Sequence, residues 1–205
     1  MYAHNLSLVL KHFAVMWVLT VLGFFIGIFL PLYFVIPLSI INISLLIVVV
    51  FVRQVLLASP VLYTIPFLSG IMFSWFSLFF IERLGGSFVF SVIIGTAIIF
   101  ILLALLGLKI PRHVSEWGMY ITATFIVVFV FSFIFIIITI TSMFAFMFFV
   151  ICVLLFVLFT VYEFNQLRHH YVREIEIVYM ALGLYLSLVN IFIYLLETIW
   201  SLKER

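Results

Sequence analysis

Charged residues interrupt this chain so rarely that their positions alone decide its class. Counting Asp, Glu, Lys, Arg and His, five stretches carry no charge: Phe13–Val52, Gln54–Ile81, Leu84–Leu108, Trp117–Tyr162 and Ile177–Leu196. A helix crosses a hydrocarbon core about 30 Å thick with about 20 apolar residues. The first and fourth stretches are about twice that length and predict two helices each; the other three predict one each. The sum is seven spans, near 13–30, 34–52, 56–81, 86–108, 117–138, 143–166 and 176–200. Composition agrees: 8% of the 205 residues are charged, against roughly 25% in soluble domains, and mean hydropathy is +1.53. A soluble enzyme, a nucleic-acid binder and a disordered chain are excluded, and the lipid bilayer is the first partner.

The runs are continuously apolar and lack the alternation of a membrane β-barrel, so helices are expected throughout. Pro31 and Pro37, flanking Leu-Tyr-Phe, suggest the turn inside the first long stretch. Thr139-Ile-Thr-Ser142 is the weaker break in the fourth. Pro60 and Pro66 suggest a tilted or kinked third helix. The first apolar run continues past 18 residues without a small-residue cleavage site, so it reads as a span rather than a signal peptide. No loop is long enough to fold by itself. Gly23 and Gly27, and likewise Ser91 and Gly95, have the small-xxx-small spacing of close helix packing, with a homodimer seam as the alternative.

Orientation follows from Lys and Arg. With the N-terminus inside, Lys11, Arg53, Lys109, Arg112, Arg168 and Arg173 are cytoplasmic, leaving Arg83, Lys203 and Arg205 outside. The expectation is N-terminus in, C-terminus out.

An ionisable residue inside a span costs about 2.5–3.5 kcal/mol on insertion scales and therefore needs a reason. Glu163, near the inner end of the sixth span, is either an interfacial acid balanced by Arg168 or a carboxylate facing a water-filled pathway. On the seventh span Glu176, Gly183, Ser187, Asn190, Tyr194 and Glu197 are spaced 7, 4, 3, 4 and 3 apart and share one face. Such a stripe faces protein or water: interhelical hydrogen bonds or a pathway lining. Counted from the connection between the two spans, Glu163 lies roughly 10 Å deep and Ser187 roughly 16 Å, within reach of each other's level. His169 and His170 read as a basic interfacial anchor rather than a metal site. The single Cys152 excludes a disulfide framework and a cysteine zinc site. The chain has no Asp, no HExxH and no Gly-x-Ser-x-Gly, so no enzyme chemistry is expected.

Ile-Pro-Leu-Ser-Ile-Ile-Asn at 36–42, Phe-Leu-Ser-Gly at 67–70, Tyr-Glu-Phe-Asn-Gln at 162–166 and Ala-Leu-Gly-Leu-Tyr-Leu-Ser-Leu-Val-Asn-Ile-Phe at 181–192 stand in order along the chain. Together they resemble the transmembrane Bax inhibitor motif family, particularly its short bacterial members, from about Thr20 to Thr198. The resemblance implies an all-α integral membrane protein, a seven-helix bundle whose last helix is central. It also implies a pH-sensitive calcium leak channel, in a membrane expected to be the bacterial plasma membrane. By resemblance, Glu163 matches the carboxylate of helix six and Arg53 the gating latch that pairs with it. The second sensor carboxylate, on helix seven, falls on Ser187, and a further acid of helix two falls on Asn42.

Two nearby carboxylates share a proton and titrate as one coupled pair. With Ser187 and Asn42 neutral that pair is missing, and a weaker or displaced pH response is expected. Calcium prefers six to eight oxygen ligands, so Glu163 with Ser187, Asn190 and water makes a weak site, with Asn42 and Glu197 as further polar lining. No other cofactor is expected; the permeant species is calcium or another cation. The rival readings are a non-conducting regulatory membrane protein of the same fold and a small-solute transporter.

Overall fold

The computed structural model describes residues 2–51, 59–111, 114, 116–137, 142–169 and 174–203. Among them are seven helices: α1 (Tyr2–Phe29), α2 (Leu32–Phe51), α3 (Ser59–Leu84), α4 (Gly86–Lys109), α5 (Trp117–Ile137), α6 (Ser142–His169) and α7 (Glu174–Lys203). This is the helix count that the uncharged stretches predict. Six are long and apolar enough to cross a membrane; in α5 the stretch that qualifies as apolar among the described residues is Trp117–Val128. Large apolar side chains such as Phe29, Phe90 and Leu102 point outward, as a lipid-facing surface requires.

Local chemistry sets the helix ends. α1 stops before Pro31, and α2 starts directly after it, because proline suits a first turn and disfavours helix in the residue before it. Pro37 therefore does not belong to the turn that the sequence suggests; it lies inside α2 as its sixth residue, where its missing N–H leaves the Tyr33 carbonyl without the usual helix partner. α3 ends at Gly85, whose φ of 91° is a conformation that side chains with a Cβ rarely adopt. α4 ends just before Ile110-Pro111. The expected break at Thr139–Thr141 lies outside the described residues.

The contacts divide the chain into two compact units, one of α1, α2, α3 and α7 up to Tyr185, the other of α4, α5, α6 and α7 from Leu186. In the first unit α1 and α3 approach backbone to backbone. A Cβ on Gly23 would run into the carbonyl of Phe67, one on Gly27 into Ile71 and Ser74, and one on Gly70 into the carbonyl of Thr20. Such interdigitation of small residues is how apolar helices associate where lipid competes equally for every apolar face. The Trp75 indole donates to the Leu30 carbonyl at 3.2 Å, satisfying a group beyond the end of α1, and His12 meets the Tyr63 hydroxyl.

In the second unit α6 packs on α4 along Val161, Phe164 and Asn165. A Cβ on Gly107 would meet the Val161 carbonyl at 2.6 Å, and Phe100 sets its ring edge against Phe164 at 5.7 Å. The Ser91–Gly95 pair differs from expectation: Ser91 is exposed, and nothing lies within 4 Å of where a Gly95 Cβ would be. The buried line of α4 runs through Val89, Thr96, Phe100 and Gly107 instead, a different face from that pair.

In α7, half of the apolar window is buried, against 17% in α2 and in α4. This is the largest buried share among the candidate spans of the described residues, and it accommodates the polar residues that α7 carries.

Candidate functional site: the seam between helices six and seven

The sixth and seventh helices are separated by only four residues, so two long helices that pack must run antiparallel. Tyr194 of α7 is held between two rings of α6, stacked on Phe156 at 5.8 Å and 23° and tilted against Phe149 at 6.2 Å. Its hydroxyl donates to the thiol of Cys152, which lies one turn from each phenylalanine. These contacts define the face of α6 that meets α7. Continued along the helix at spacings of 3, 4, 4 and 3, the stripe reads Phe149, Cys152, Phe156, Thr160, Glu163.

Glu163 therefore lies on the α7 side of α6, and it is 5% exposed. Seven residues separate it from Phe156, and seven separate Ser187 from Tyr194 on the antiparallel partner. Two whole turns from the same stack bring Glu163 and Ser187 to the same level of the seam. Ser187 is fully buried, as is Thr160, whose hydroxyl donates back to the Phe156 carbonyl at 2.7 Å. Asn190 is half-buried, and its amide donates to the Leu186 carbonyl of its own helix at 2.7 Å. Glu197 is half-buried one turn beyond Tyr194, close enough to act on it electrostatically.

The opposite side of α6 is equally specific. Asn165 is fully buried, and its amide holds three groups around the end of α4. Nδ2 donates to the carbonyls of Ile110 at 3.1 Å and Gly107 at 3.4 Å, and Oδ1 accepts the Val114 backbone N–H at 3.2 Å. Arg168 donates to the Leu108 carbonyl, and His169 Nε2 meets that of Ile110 at 3.3 Å. The last carbonyls of a helix have no partner within it and carry partial negative charge. α6 supplies amide, guanidinium and imidazole to that end. Arg168 and His169 thus bind the α4 terminus instead of serving only as an interfacial anchor.

Asn42 belongs to the first unit. It is 3% exposed, and its amide donates to Ser69 Oγ at 3.0 Å. Ser69 is hydrogen-bonded to the Tyr185 hydroxyl, which pairs with Thr20 Oγ1 at 2.8 Å. Thr20 also lies 3.1 Å from the Pro66 carbonyl. Asn42 donates to Ser69, and the Tyr185 oxygen accepts from Thr20 and is hydrogen-bonded to Ser69. One continuous buried chain therefore links α2, α3, α7 and α1. Tyr185 and Ser187 point to opposite sides of α7, two residues being 200° of rotation.

Arg53, Arg112, His170 and Arg173 lie outside the described residues. Among the described residues no three His, Cys or Glu side chains come together as a metal site, so a calcium ion at Glu163 would depend on hydroxyl, carbonyl and water oxygens. The sequence alone does not distinguish Thr20, Ser69, Tyr185, Asn165 or the Phe149–Phe156 pair. Signals existed for some of them: Thr20 shares the α1 face of Gly23 and Gly27, and Phe149 and Phe156 are two turns apart.

Seven mostly lipid-compatible helices with a buried carboxyl in one seam define a polytopic helical membrane protein. The sequence model of the family described as inhibitor of apoptosis-promoting Bax1 matches residues 3–204. The chain belongs to this Bax inhibitor-like family and is an integral membrane protein.

Proposed function

We propose that the chain is a passive leak pathway for calcium or another cation, running along the seam between α6 and α7. Glu163 is its ion- and proton-sensitive group, Ser187 and Asn190 are its lining, and Arg53 is the latch that the family resemblance assigns. The observation that carries this reading is the burial of Glu163 on the α7-facing stripe of α6, level with Ser187. A carboxyl kept at that depth is costly unless it serves an ion or proton. A single carboxylate among neutral oxygens binds calcium weakly, which suits conduction, because an ion that enters must also leave. Nothing in this pathway calls for catalysis. The bacterial plasma membrane, with the N-terminus inside, is the proposed setting.

The test is calcium entry into liposomes holding the purified protein, compared with Glu163→Gln. Flux in the wild type that the substitution changes, together with its pH profile, supports the pathway. The absence of flux at every pH favours instead a non-conducting regulatory protein of the same fold. Flux identical in both proteins removes Glu163 from the mechanism.

A further inference from the structure

The polar side chains of the seam do not form one unbroken line. Thr160, Glu163 and Ser187 occupy one stretch and Glu197 another, and between them stands Tyr194 with a phenylalanine against each side. Its hydroxyl is tied to Cys152 on the facing stripe of α6, and the rings of Phe149 and Phe156 on either side of it present carbon along the seam. Phe156 is itself braced from behind by Phe125 of α5, with centroids 4.9 Å apart, and Phe125 also meets Phe159 at 5.2 Å. The stack is thus fixed by three helices. A narrow apolar ring between two polar stretches excludes water and with it a hydrated ion.

We propose that Tyr194, clamped by Phe149 and Phe156, is the constriction of the seam, closing the stretch around Glu163 and Ser187 from the aqueous phase at the Glu197 end of α7. The assignment rests on the leak-pathway reading but can fail independently of it. When the ring is in place, the seam holds no continuous water column. Displacing it joins the two polar stretches.

The molecule carries its own reporter. Cys152 is the chain's single cysteine; it is fully buried and not part of a disulfide, and it lies beside the Tyr194 hydroxyl. In proteoliposomes, a membrane-impermeant cationic methanethiosulfonate modifies it only where water reaches the seam. Tyr194→Ala is expected to raise the modification rate, read by mass spectrometry of the intact protein, at least about tenfold, and calcium flux with it. Tyr194→Phe keeps the ring stack and is expected to stay within about twofold of wild type. Phe149→Ala, which removes one clamp, serves as the second opening variant should Tyr194→Ala not fold.

Wild-type rates of modification and flux in both opening variants overturn the constriction, as does Tyr194→Phe behaving like Tyr194→Ala. Faster modification in the opening variants with no flux in any protein supports the constriction and removes the leak pathway. Wild-type flux that neither opening variant alters, with Cys152 unreactive throughout, leaves the pathway standing and removes the constriction.

Discussion

Thr20 of α1 and Tyr185 of α7 share a 2.8 Å hydrogen bond between two hydroxyls shielded from solvent, with Thr20 4% and Tyr185 0% exposed. Tyr185 fixes its ring separately from its hydroxyl: the edge of Trp17 meets it at 5.5 Å, while the oxygen joins Thr20 and Ser69. Tyr185→Phe therefore removes the polar link and leaves the packing. Interhelical hydrogen bonds within membranes average about 0.6 kcal/mol and reach about 1.7. Because this hydroxyl serves two partners, the expected loss lies toward the upper figure, measured by unfolding in detergent or bicelles. A loss no larger than that of an exposed control such as Tyr120→Phe would show that the chain of hydroxyls is not a structural link.

The glycines on the helix seams give the second prediction. Gly107→Ala forces a methyl against the Val161 carbonyl and the Phe164 Cβ, the latter 2.8 Å away. Overpacking of this kind costs about 1–3 kcal/mol. Gly95→Ala adds the same methyl to the same helix with nothing within 4 Å, so it is expected to be neutral or slightly stabilising through helix propensity. Equal melting temperatures for the two variants would contradict the close approach of α4 and α6.

How far the sequence foretells these features depends on the physics behind each. The number of helices is legible because the bilayer fixes a length that uncharged stretches must supply, whereas charge does not mark the start of α1, which runs back through His12 and Lys11 to Tyr2. The stripe on α7 is legible because its spacing alone places Ser187, Asn190 and Tyr194 on one face. Which helix that stripe meets is a matter of tertiary packing, visible only through the stack of Tyr194 on Phe156. Tyr185 escapes notice because it lies off the stripe, and a tyrosine in an apolar run looks like any other ring. Asn165 is inconspicuous for a similar reason: its partners are backbone groups of α4 some 50 residues earlier, and backbone groups leave no mark in a sequence. The Ser91–Gly95 spacing misleads in the opposite direction, since small residues permit close approach but do not cause it.

Asn165 carries the third prediction. Asn165→Leu preserves volume but leaves the carbonyls of Gly107 and Ile110 and the Val114 N–H without their partner. Each buried group so abandoned costs about 1–3 kcal/mol. Hydrogen exchange separates this from general destabilisation: amide protection around Val114 should fall first, while that of the α1–α3 seam is retained. Uniform loss of protection across both regions would mean that Asn165 supports the whole molecule rather than the α4 terminus. Asn165→Gln retains the same donors and acceptor one methylene further out, and it should recover part of the loss.

Ser187→Asp is the most informative substitution for the proposed pathway. It installs a second carboxyl on α7 at the level of Glu163, as the register from the Tyr194–Phe156 stack requires. Two carboxyls at close range in a poorly hydrated seam cannot both ionise readily, so they hold one shared proton over a pH interval in which a lone carboxyl would already have changed state. The variant should move the pH dependence of calcium flux to higher pH than in wild type, and Glu163→Gln introduced alongside should abolish the shift. If Ser187→Asp acquires pH dependence that Glu163→Gln leaves untouched, the two positions do not share a proton and the inferred level of the seam is wrong. If instead the double variant behaves as wild type while the single one responds at higher pH, the two side chains face each other across the seam, and the serine accounts for the muted response expected of this chain.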